Sequence, residues 1–130
     1  MRILFFLCLI CIEVLSACAK GYGDAYIQKN LTVYYNNEKD MNSAKKLADY
    51  WISRGLILDK PQTIRYFHTD SVSQVQLIKT PNFSAKALNF DALKKLQSIE
   101  DDLNQTIFLR NKVDIVICDS RFNVINNLNF

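Results

Sequence analysis

The chain has 130 residues, with only three glycines, two prolines and one histidine. So little glycine and proline excludes collagen-like and low-complexity architectures. Gly21, Gly23 and Gly55 cannot form a glycine-rich phosphate loop, which needs its glycines inside one short turn. A lone His68 excludes zinc motifs that need a histidine pair or a second histidine on one helix. A basic stripe with interleaved aromatics is also missing. The net charge is +3, and Lys45-Lys46 and Lys94-Lys95 read as solvated pairs on helix faces, so nucleic-acid binding has no support. The longest apolar run is Ile3 to Ile12, ten residues, half of the roughly 20 that a bilayer-spanning helix requires.

What is present begins at that run. Met1-Arg2 is a short positive start, Ile3 to Ile12 an apolar core, and Ser16-Ala17-Cys18-Ala19 a small-residue exit. This order is that of a secretory signal peptide, interrupted only by Glu13 near the exit. Leu15-Ser16-Ala17-Cys18 resembles the lipobox of bacterial lipoproteins at all four positions. The resemblance implies that residues 1–17 are a signal peptide and that Cys18 becomes the first residue of the mature protein. Its thiol would carry a diacylglyceryl group through a thioether. Two acyl chains suffice for stable anchoring, whereas one gives reversible binding. Membrane lipid, held through acylated Cys18, is thus the first expected partner. Under the enterobacterial sorting rule an Asp after the lipid cysteine retains a lipoprotein at the inner membrane. Ala19 at that position points to the outer membrane, facing the periplasm. Ala17-Cys18-Ala19 also fits an ordinary secretory exit. Cleavage after Ala19 would discard Cys18 and release a soluble protein beginning at Lys20.

Processing leaves little cysteine. Cys8 and Cys11 leave with the signal peptide, and if Cys18 is acylated only Cys118 keeps a thiol. No intramolecular disulfide and no multi-cysteine zinc site is then open to the protein. Cys118 lies in the β-prone run Val113 to Asp119 and reads as a small buried hydrophobe, without a cation in that run to activate it. Arg2 and Glu13 leave together, so the mature chain keeps its net charge of +3.

Residues 18–29 read as the lipidated N-terminus and a flexible tether of at most about 40 Å, followed by one domain over 30–130. Leu31 to Tyr35 is β-prone. Asp40 is a candidate N-cap. Met41, Ala44, Leu47, Ala48 and Trp51 then recur at helical spacing, with Gly55 placed as a C-terminal stop. Thr63 to His68 and Val72 to Lys79 suggest a hairpin. Ala92, Leu96, Ile99 and Leu103 mark a second helix, with Asn89 a possible cap. Val113 to Cys118 and Phe122 to Ile125 close the chain as strands. Lys45-Lys46-Leu47 is echoed by Lys94-Lys95-Leu96, and Gln62-Thr63-Ile64 by Gln105-Thr106-Ile107. These features predict an α+β two-layer sandwich, with one mixed or mainly antiparallel sheet, two helices on one face and two α-β-β halves. Residues 30–128 are similar to small α/β domains of uncharacterised bacterial envelope proteins, a resemblance that brings no activity with it. Trp51, Leu47, Leu77, Leu96, Ile99, Ile115 and Ile117 are the expected core.

Catalytic candidates are few. His68, Asp70 and Ser71 bring the residue types of a hydrolase triad together, but a triad needs three side chains that converge in space, and neighbours on one hairpin do not. Glu100-Asp101-Asp102 could face a cation, although three adjacent helical residues point in different directions. Trp51 could stack on a ligand, but its helical spacing places it in the core. Asn30-Leu31-Thr32, Asn82-Phe83-Ser84 and Asn104-Gln105-Thr106 are glycosylation sequons in a eukaryotic secreted protein. The expectation is a non-enzymatic, membrane-anchored envelope module without cofactor or metal, which binds an envelope protein or a small ligand. The competing expectation is a soluble secreted inhibitor or weak hydrolase.

Overall fold

The computed structural model describes residues 21–79 and 89–128. Six strands form one sheet in chain order. They are β1 (Asp24–Gln28), β2 (Leu31–Tyr35), β3 (Gln62–His68), β4 (Ser73–Ile78), β5 (Asp114–Cys118) and β6 (Val124–Asn127). Helix α1 (Met41–Ser53) joins β2 to β3, and α2 (Phe90–Thr106) lies between β4 and β5. The β1–β2, β3–β4 and β5–β6 pairs are antiparallel. The two pairs bridged by helices are parallel. The sheet is therefore mixed, and after the first hairpin the chain repeats α-β-β twice.

Alternation along each strand sorts the residues into two faces. Val33, Ile64 and Leu77 stand in one row, and Tyr35, Tyr66, Val75 and Ile115 in the next. Both helices cover this face. Ala44, Leu47, Ala48 and Trp51 of α1 are buried in one cluster with it, and Leu103 of α2 joins them, with Leu96 and Ile99 packed alongside. The Tyr50 hydroxyl donates to Asp102 Oδ2 at 2.8 Å, joining the helices directly. Strands advance across the sheet in chain order, yet β4 and β5 run opposite to β2 and β3. Two helices on one face then require crossovers of opposite hand, so one of them departs from the strong right-handed preference.

The helices end as their sequences direct. Asn89 Oδ1 accepts from Ala92 N at 2.8 Å and caps α2. Past α1, Gly55 has φ +68. Gly55 N donates to Ile52 O, and Leu56 N to Trp51 O, the paired bonds of a Schellman motif.

The structure corrects several expectations. Residues 24–28 of the expected tether form the edge strand β1, whose Ile27, on the face opposite α1 and α2, is exposed. The β1–β2 turn is Lys29-Asn30, with Lys29 at φ 54. That turn lacks the Asn-Gly or Asp-Gly signal by which hairpins are read. Met41 keeps helical phase with the apolar face but, as the first residue of α1, is 54% exposed. Phe122 precedes β6 and adopts φ 60. Gln105 to Ile107 finishes α2, so its echo of Gln62 to Ile64 in β3 is not structural. Leu47, Trp51, Ile115 and Ile117 are buried, whereas Leu77, Leu96 and Ile99 are partly so.

Candidate functional site

Two regions gather polar chemistry. The first lies where β2 and β3 end. The Asn36 amide clamps the backbone of His68, with Oδ1 accepting from His68 N and Nδ2 donating to His68 O, each at 2.8 Å. A 3₁₀ turn, Glu38–Asp40, carries Asp40 inward until it is 8% exposed. Its oxygens lie 3.1 and 3.3 Å from His68 Nδ1. Asp40 holds the N-cap position of α1 without a side-chain capping bond, because the carboxylate is turned to the histidine instead. An ionised carboxylate only accepts, so this contact places the ring proton on Nδ1. Nε2 has no hydrogen-bond partner among the described residues. Tyr66 stacks on the His68 ring at 5.7 Å and meets Phe108 at 5.0 Å. Burial, and next the charge of Asp40, push the Tyr66 phenol up, against an opposing bond from Ser73. A cleft of about 270 Å³ opens between Asp40, Ser43, Tyr66, Phe108 and Arg110.

This arrangement orients an imidazole, as an acid–base pair requires. The aspartate that does so lies 28 residues before His68. Asp70 and Ser71 occupy the exposed β3–β4 turn. The acidic trio of α2 divides as adjacent helical residues must. Glu100 Oε2 accepts from Ile115 N at 2.9 Å, Asp102 takes Tyr50 and Arg54 (2.8 Å each), and Asp101 is exposed. Burial raises the Glu100 carboxyl above its ordinary value, while the Ile115 bond opposes it. Trp51 is 4% exposed and its indole N–H has no partner. It borders an apolar cleft of about 330 Å³ with Leu58, Pro61, Ile64 and Leu77. Of the sequon asparagines, Asn104 is committed to the Val113 backbone through both amide atoms, Asn30 is exposed, and Asn82 lies outside the described residues. Cys18 and the signal segment 1–17 also lie outside them.

The second region is the sheet face that neither α1 nor α2 covers, helix-free among the described residues. Tyr34, Arg65, Gln76 and Val116 stand in one row across four strands. Gly23, at φ +95, brings the incoming chain against the end of β2, where a Cβ would fall 2.3 Å from Tyr35 O. Only glycine fits there, and the turn lays Tyr22 against Tyr34, ring centroids 5.7 Å apart. From the β5–β6 turn, Phe122 reaches the same place, 5.1 Å from Tyr22 and 6.2 Å from Tyr34. Asp119 shapes that turn by accepting from Arg121 N and Asn123 N. Bonds from Asn123, first among its causes, hold the Asp119 carboxyl below its ordinary value.

Arg65 and Cys118 share this face. Cys118 is fully buried, and burial pushes its thiol up to about 11, which outweighs the opposing charge of Arg65. The Arg65 guanidinium lies 5.0 Å from the Phe67 ring centroid and 5.8 Å from that of Phe122. Sequence reading passed over Arg65 because its environment comes from β4, β5 and a distant turn. The one local signal is a charge at a central position of a β-prone run. Comparison with protein-family models, with curated proteins and with solved structures finds no match to this chain.

Proposed function

We propose that this chain is a bacterial envelope lipoprotein, a small non-enzymatic binding module held at the membrane by diacylated Cys18. The observation that carries the proposal is Leu15-Ser16-Ala17-Cys18, directly after a ten-residue apolar core. The geometry fits a close anchor. Tyr22, four residues past Cys18, is packed on the helix-free face, and four residues span at most about 14 Å. Acylation at Cys18 would keep that face near the head groups. Ala19 favours the outer membrane, on the periplasmic side. A binding role draws support from the helix-free face, where a half-buried cation lies beside aromatic rings.

Intact-mass analysis of the membrane fraction tests the anchor. A protein beginning at Cys18 and carrying a diacylglyceryl mass supports it, and Cys18→Ala should then release the protein from membranes. A soluble product beginning at Lys20, with unmodified mass, refutes the anchor and leaves the secreted alternative.

A further inference from the structure

We infer that Arg65 holds the anion in a ligand site on the helix-free face, and that the ligand is a carboxylate on an apolar body. This names the ligand class of the binding module proposed above. It rests on that binding reading and not on the lipid anchor. Arg65 stands near the middle of the sheet face, half-buried, with no acidic partner among the described residues. None of its five donors is engaged there, and Nε is shut away from solvent without a partner. At the paired position on β4, Gln76 is 4% exposed and its Oε1 is likewise unpartnered.

A half-buried charge without a counter-charge costs stability. The nearby Cys118 thiol, pushed up to about 11 by burial, offers no anion at neutral pH. Phe67 and Phe122 flank the guanidinium. The guanidinium presents a planar fork of donors, the geometry that binds a carboxylate through two parallel hydrogen bonds. The row Tyr34, Arg65, Gln76, Val116 contains no second cation, which suits a monoanion better than a phosphate. Tyr22, Tyr34 and Phe122 supply an aromatic wall for the body of the ligand.

The test uses the mature protein in neutral detergent, labelled with 15N-arginine, and benzoate as the probe. Benzoate should move the Arg65 Nε–H signal saturably and raise Tm. Neutral benzamide and inorganic phosphate should do neither at the same concentrations. Arg65→Met should weaken benzoate binding by about tenfold or more, as loss of a charge-assisted pair implies, while Tm stays level or rises. Arg65→Lys, which keeps the charge without the planar fork, should bind in between. An Arg65 signal indifferent to benzoate overturns the inference, as does an equal response to benzamide or a preference for phosphate. So does an Arg65→Met protein with lower Tm and undiminished benzoate binding, because Arg65 would then be structural. These readouts are independent of acylation at Cys18, so either the anchor or the ligand site can fail alone.

Discussion

The two faces of the sheet are built from the same strands and treat polarity in opposite ways. On the helix-covered face the central sheet rows are apolar or aromatic, with His68 and its Asp40 partner at one end, and α1 and α2 seal them with Leu47, Trp51 and Leu103. On the other face an arginine and a glutamine occupy central positions, and two loops lay Tyr22 and Phe122 over part of it. The first face has a folding role, since burial there supplies the main driving force. The second keeps, among the described residues, a cation without an acidic partner and an orphaned amide oxygen, where the first leaves only the Trp51 indole N–H unpartnered.

The largest expected effect lies on the covered face. Trp51→Ala should lower stability by about 3–5 kcal/mol, in line with large-to-small changes in sealed cores, and urea unfolding checks it. Tyr34→Ala on the open face should cost well under half as much. Equal losses would show that the open face is packed as a second core.

Next comes the loop that lays Tyr22 over the open face. Gly23→Ala introduces a Cβ against the Tyr35 carbonyl at a positive φ and should cost about 1–3 kcal/mol. Loss of the Tyr22–Phe122 contact should appear in the ring proton shifts. A protein as stable as the parent would mean that the Tyr22 contact contributes nothing to holding the fold.

Cys118 sharpens the contrast without a substitution. Its thiol is buried and pushed up to about 11, so a thiol reagent at pH 8 should react only when the region opens. Rapid native labelling would show that the helix-free face is looser than its packing implies.

Glu100→Gln is the smallest effect. The folded state raises the Glu100 carboxyl above its unfolded value, so the folded protein favours the protonated form. That contribution is present in acid and is lost as pH rises through the folded pKa. The glutamine keeps an acceptor for Ile115 N. The variant should therefore match or slightly exceed the parent at pH 7, by a few tenths of a kcal/mol, and lose that margin towards pH 4. A margin that grows in acid would contradict the burial effect.

Periodicity makes most of the fold legible in the sequence. Ala44, Leu47, Ala48 and Trp51 repeat at helical spacing, and all are buried. Asn89 and Gly55 announced their capping roles through local chemistry alone. β1 was hidden because an exposed edge strand need not be apolar and because its turn uses Lys29 rather than glycine. The Asp40–His68 pair was hidden for another reason. Asp40 looked committed to a cap, and no local rule connects it to a histidine 28 residues away.

Residue spacing along the chain was enough to specify two amphipathic helices, the alternating strands between them and an N-terminal run with a cysteine at its exit. Those features follow from interactions within a few residues, which the order of side chains states directly. The turning of Asp40 to His68 and the isolation of Arg65 between Phe67 and Phe122 arose from assembly. Each depends on segments brought together by strand pairing, and the environment of a charge is a property of what surrounds it in space.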